Sequence, residues 1–220
     1  MSNRPAGAAL IRILRVYADQ LEPKQLLAPL PSAIPRAIYV REGDVTIRSC
    51  AQAATLAPNS AWHGAGPCTL EASARGASIL RWEVAPADSP DAGALLARSV
   101  ELPDQGGYLM RCDRVDFPPA GIAYMHTHRG PGIRVLLTGE LSVESAGEVH
   151  RVRPGSAWFE SGPDPVFAVA AEREPTSFVR VMILPRAIRG QPSIRYVEPE
   201  DRDKPKPQRY QVFFDEPIEP

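Results

Sequence analysis

Apolar and polar residues alternate along this chain in short runs, each closed by Gly, Pro, Asp or Asn. "AIYVREG", "DVTIRSC", "SILRWEV", "GYLMRCDRVDF", "IRVLLTG", "ELSVES", "FVRVMIL" and "SIRYVEP" all read this way. A period of two places alternate side chains on opposite faces, so these runs predict strands half-facing a core. Glu42-Gly43 and Thr138-Gly139, each followed at once by a new apolar run, predict tight hairpin turns. Many short strands with Gly- and Pro-rich turns favour an all-β sandwich or barrel. Helix is predicted only near residues 7–27, where "AALIRILRVYADQL" looks amphipathic, and around "DAGALLARSV" at 91–100. The tail "PEDRDKPKPQRYQVFFDEPIEP" begins polar and Pro-rich; its "RYQVFF" is either one more strand or part of a disordered tail.

The pattern repeats. "AIYVREGDVTI" (37–47) aligns with "IRVLLTGELSV" (133–143), placing Gly43 on Gly139. At the same offset, "NSAWHGAGP" (59–67) falls on "GSAWFESGP" (155–163); after a small length difference, "SILRWEV" (78–84) resembles "SFVRVMIL" (177–184). One offset shared by two separated segments makes the chain two tandem copies of a β module, residues 1–100 and 101–220.

Bulk properties narrow the partners. The 220 residues suffice for two small cores. The early apolar run is broken by Arg12 and Arg15, which argues against a signal peptide or a membrane span. The net charge of -1 and interspersed charges give no basic stripe for nucleic acid. Cys50, Cys68 and Cys112 are odd in number and form no CxxC pair, so the expected setting is a reducing cytoplasm with these thiols buried.

The chemistry concentrates in "HTHRGPGIRVLLTGEL" (126–141). On a strand, Tyr124, His126 and His128 share a face. Two imidazoles so placed can take adjacent positions around Fe, Mn, Ni, Zn or Cu. Arg134 lies in the same apolar run, where a buried guanidinium needs a carboxylate, a phosphate or a ring face.

These residues resemble the cupin superfamily. Its first motif is matched by Gly121 (one residue closer than usual), His126, His128 and Gly139, and its second by Pro154, Gly155, Gly162 and Pro165. The resemblance spans both copies and implies a bicupin: tandem double-stranded β-helices, or jelly-roll barrels, here with a short N-terminal helix. It also implies a site of three histidines and one glutamate, of which this sequence keeps two. Gly132 stands in the glutamate slot, and Pro165 or Val166 in that of the last histidine. Glu160, Asp164, Tyr124 and His150 are the nearby groups that could complete it. Glu160 is the choice for a third metal ligand with His126 and His128, whereas His150 is expected on the surface.

Arg134, two residues past Gly132, shares the inward phase. It is an anchor for an anionic ligand, a partner in an internal ion pair with Glu160 or Asp113, or a side chain reaching the barrel mouth; Arg180 and Arg111 raise the same question. In the first copy, Leu30 and Ser32 replace the two histidines and His63 stands alone, so that copy reads as structural. Two functional classes stay open. One is a small-molecule enzyme of dioxygenase, isomerase or lyase type, with His126, His128, Tyr124 and Arg134 acting on an anionic substrate and a divalent metal possible. The other is a non-catalytic binding or assembly protein. By analogy with the family, a homodimer is expected.

Overall fold

Strands make up nearly all of the regular structure in the computed structural model, which describes residues 9–31, 33–50, 53–103 and 106–220. The first seven are β1 (Leu10–Leu21), β2 (Leu26–Leu30), β3 (Arg36–Ser49), β4 (Ala53–Leu56), β5 (Ser60–Gly64), β6 (Cys68–Pro86) and β7 (Leu96–Leu102). Then come β8 (Tyr108–Phe117), β9 (Ile122–His128), β10 (Gly132–Thr138), β11 (Leu141–Ser145), β12 (Glu148–Val152) and β13 (Ala157–Glu160). The last are β14 (Val166–Ala170), β15 (Thr176–Pro185), β16 (Ile194–Tyr196) and β17 (Arg209–Ile218). Among the described residues only two 3-10 turns, Arg186–Ile188 and Pro199–Arg202, are helical. No helix there is long and apolar enough to cross a membrane.

The chain divides into two units, Met1–Asp104 with Ile218–Pro220, and Gln105–Pro217. In the second, β13-β10-β15-β8-β17 form one sheet and β12-β11-β14-β9-β16 the other. Their facing sides meet in a core of Val115, Phe117, Leu136, Leu141, Val166 and Phe178. The first unit reproduces the order β5-β3-β6-β1-β7, but its β3 and β6 bend and run on through a second set of pairings with β2 and β4. The internal repeat is visible in the register: Ile38 pairs with Trp62 as Arg134 pairs with Trp158, at the same offset. It also reaches β1 and β8, where Arg15 stands to β6 as Arg111 stands to β15.

The glycines at the repeat turn corners instead of closing hairpins. β10 and β11, on either side of Gly139, pair with different strands in different sheets. Gly43 lies inside β3, at a shift of register against β6. Both glycines have positive φ, +70° and +72°. A Cβ at Gly139 would strike Thr176 Oγ1 and lie 2.7 Å from Pro175 O. A run–glycine–run pattern serves a hairpin and a corner equally well, and only the distant pairing partners decide. Gly139→Ala is expected to cost about 1–3 kcal/mol, read from urea unfolding; a change within 0.5 kcal/mol would mean that the corner relaxes freely.

The N-terminal helix of the sequence reading is a strand. Residues 7 and 8 lie outside the described residues, but β1 is bonded along its length to β6 and, through its first half, to β7. Leu14 and Val16 are fully buried on one face, while Arg15, Tyr17 and Asp19 on the other meet Glu83 and Arg81. A strand covered on both faces shows no clean alternation, so apolar residues at 10, 11, 13, 14 and 16 imitate a helix. Likewise the second predicted helix, 91–100, is a turn leading into β7. The tail does supply its strand, β17, beside β8.

Candidate functional site

Strand β9 carries both histidines to the inner face of the second barrel, and a bulge sets which neighbours join them. His126 lies opposite Val166 and Ala123 opposite Ala168, so three residues of β9 span two of β14. The extra residue reverses the alternation. Ala123, His126 and His128 face the interior, and Tyr124 does not. The Tyr124 ring lies 5.1 Å from the Lys204 ammonium, and only its backbone carbonyl reaches the site, accepting from His126 Nδ1 at 2.7 Å. The shared face expected for Tyr124, His126 and His128 therefore fails at Tyr124.

Glu160, at the end of β13, sits directly across from Gly132 on β10. The barrel thus regains a carboxylate at the level of the missing glutamate, supplied by the adjacent strand. Three groups engage it. Arg134 Nη2 lies 2.5 Å from Oε2, His128 Nε2 lies 3.1 Å from the same oxygen, and Trp158 Nε1 donates to Oε1 at 2.9 Å. Arg134 is completely buried, and its Nη1 donates to Gly132 O at 2.7 Å. A Cβ on residue 132 would lie 3.0 Å from that Nη1 and 2.7 Å from Val181 O. The guanidinium has taken the space of the side chain that glycine lacks. Of the roles open to Arg134, the one seen is the internal ion pair with Glu160.

Burial governs the charge states. It pushes the His128 pKa down to about 3, with Glu160 opposing, and lowers that of His126 against the pull of Glu160 and the Tyr124 carbonyl. Burial also lowers Arg134, to about 10, which leaves it charged at neutral pH. For Glu160, burial acts upward, but the Arg134 guanidinium and the His128 hydrogen bond hold it well below the usual carboxylate range. The cluster at neutral pH is two uncharged imidazoles beside one buried ion pair.

This donor set does not fit a divalent metal. Facing the Glu160 carboxylate at 3.1 Å, His128 Nε2 holds the ring proton and has no lone pair to offer, which leaves only the buried Nδ1 of that ring. Glu160 is already neutralised by Arg134, whose fixed positive charge would repel a cation at the same place. Among the described residues no group of three or more His, Cys, Asp or Glu side chains could hold a metal. The other candidates stand apart: Asp164 accepts from Ser161 Oγ in an exposed turn, and His150 is exposed beside Glu148. In the first unit the position of Gly132 is filled by Arg36, fully buried and bonded to Gly66 O, while Leu30 replaces His126 and Ser32 lies outside the described residues.

Space inside the barrel is as limited as the coordination. The cavity touching His126, His128 and Glu160 has about 30 Å³ free, the share of one water molecule. Arg180, Ile194 and Tyr210 line this cavity and also a second, of about 520 Å³, at the barrel mouth. Arg180 Nε and Nη2 hold Asp113 at 2.6 and 3.2 Å. Sequence reasoning missed Tyr196, on β16, and Lys206 and Tyr210, which reach the mouth from the tail. Their traces in the sequence are the alternations of "SIRYVEP" and of "RYQVFF" on either side of a polar stretch. The bond from Trp158 to Glu160 was missed as well; the Trp158-x-Glu160 spacing, two residues on one strand face, was its available sign.

No family model and no curated protein matches the sequence. Solved structures do. A variant of oxalate decarboxylase from Bacillus subtilis superposes with a TM-score of 0.67 at 10% identity, covering 94% of this chain and 86% of that one. AerE from Microcystis aeruginosa gives 0.64 at 9% identity, over 84% of this chain and 95% of that chain. The chain has the cupin fold. Its two copies give two jelly-roll units in tandem. Salicylate 1,2-dioxygenase from Pseudoaminobacter salicylatoxidans, at 0.57 and 9% identity over 91% of this chain and 74% of that one, shares the same frame. Identities this low carry the fold alone, and the cupin fold hosts many chemistries.

Proposed function

We propose that the second barrel of this cupin-fold chain binds a small molecule without a metal, and that the ligand lodges in the mouth pocket. One observation carries this reading: the Arg134 guanidinium fills the Gly132 slot and holds Glu160, leaving room for about one water beside the histidines. A built-in cation stands where a metal would need an open ligand set. Beyond Arg180 there is space of the size ligand pockets commonly have.

Binding is favoured over dioxygenase, isomerase or lyase chemistry by the same geometry. His126 Nε2 and His128 Nδ1 are the imidazole lone pairs left for proton transfer, since His126 Nδ1 donates to the Tyr124 carbonyl and His128 Nε2 faces Glu160. A substrate in the mouth pocket is held off from them by Arg180 and Tyr210. A thermal-shift screen of a small-molecule library on EDTA-dialysed protein tests the reading. Stabilising hits are expected without added metal, and they should persist in His126→Ala. Hits that appear only after a metal is restored, or a hit that is turned over by the protein but not by His126→Ala, would overturn it.

A further inference from the structure

The mouth pocket has a charge balance of its own. Arg111, Arg180 and Lys206 line it against only two carboxylates, Asp113 and Asp215. Each carboxylate is already held by an arginine, Asp113 by Arg180 and Asp215 by Arg111 at 2.7 Å. Lys206 makes no ion pair among the described residues; it donates to the Arg202 carbonyl and lies 4.8 Å from the Tyr196 ring centre. Two guanidinium donors stand outside these pairings. Arg180 uses Nε and Nη2 on Asp113, leaving its Nη1 outside that pair. Arg111, with a side chain only 7% exposed, has a buried Nε without a partner.

The walls between these charges are flat and apolar. Pro192, Ile194 and Val212 line the pocket with the rings of Tyr196 and Tyr210. Tyr210 and Val212 are 49% and 54% exposed, apolar surface that a ligand would cover. The Tyr210 ring centre is 5.8 Å from the Arg180 guanidinium, so ring and cation are presented side by side. An unpartnered donor such as Arg111 Nε is costly when buried, and one unmatched positive charge favours a single negative one.

Resting on the mouth pocket as the ligand site, we infer that its ligand is an aromatic monocarboxylate, with the carboxylate toward Arg180, Arg111 and Lys206 and the ring against Tyr196 and Tyr210.

Backbone amide shifts of the isotope-labelled full chain, titrated with benzoate, hexanoate, benzyl alcohol and benzylamine, test the inference. Benzoate is expected to move the amides of 194–196 and 206–212 and to bind at least tenfold tighter than the other three. Lys206→Gln and Tyr210→Ala, both at exposed or half-exposed positions, should each weaken it several-fold without loss of fold. Equal binding of benzyl alcohol or benzylamine at the same amides would overturn the anionic class while the mouth site stands. Equal binding of hexanoate would overturn the aromatic body. If no probe moves these amides, or if benzoate moves only residues around His126, both the class and the mouth site are wrong.

Discussion

Arg134→Met is expected to destabilise the second barrel by about 3–5 kcal/mol, the range found when one member of a buried ion pair is removed. The loss follows from what remains. Glu160, 9% exposed, would keep its charge with only His128 and Trp158 as donors, and the Gly132 carbonyl would lose its guanidinium. Glu160→Gln also strands a buried charge, that of Arg134, but should cost less, because the guanidinium keeps the Gly132 carbonyl and the amide oxygen still accepts from Trp158. Combining the two substitutions should recover a large part of the Arg134→Met loss, since an apolar chain beside a neutral amide leaves no unpaired charge. Urea unfolding followed by tryptophan fluorescence, with Trp158 inside the cluster, reads all three. A loss below 1 kcal/mol in Arg134→Met would mean that the guanidinium is hydrated and not committed to Glu160.

Acid should act on the histidines before it acts on the ion pair. His128 has an ordinary pKa of 6.5 once unfolded and about 3 when folded. The unfolded chain therefore binds a proton below pH 6.5 that the folded chain refuses until about pH 3, so stability falls through that window as pH drops. Between pH 7.5 and 5 this one group accounts for about 2 kcal/mol, and His126, lowered for the same reason, adds in the same direction. Glu160 has the opposite chemistry but the same sign. Its depressed pKa contributes stability above the ordinary carboxylate range, and that stability is lost only as pH falls below it. The slope between pH 6.5 and 5 therefore belongs to the imidazoles, and His128→Gln should remove about 2 kcal/mol of it. A stability that stays flat from pH 7.5 to 5 would show that the imidazoles are solvated.

The two barrels were legible because their signal is local. Turn residues, alternation and the matched "SAW" stretches survive in the linear order, and the register pairs Ile38–Trp62 and Arg134–Trp158 repeat the same offset. Strand β1 was misread because burial on both faces erases alternation. Tyr124 was misplaced because a single inserted residue in β9 flips every earlier side chain, and nothing in "IAYMHTH" marks that insertion. The candidates His126, His128, Arg134 and Glu160 were individually visible, as was the loss at Gly132. What could not be read was which of Arg134's possible partners it would take. That depends on Glu160 arriving opposite Gly132 through β13–β10 pairing. The mouth pocket was hidden for a similar reason, since its walls join β8 and β15 to residues 190–215.

Metal content tests the central claim most directly, namely that an arginine has taken the metal's place in this barrel. The protein should be produced in medium supplemented with Fe, Mn, Ni, Zn and Cu, purified without chelator, and analysed by plasma mass spectrometry beside a His126→Ala/His128→Ala variant. The expected result is far less than one equivalent of any metal, equal in the two proteins. Close to one equivalent in the wild type, falling away in the double variant, would contradict it.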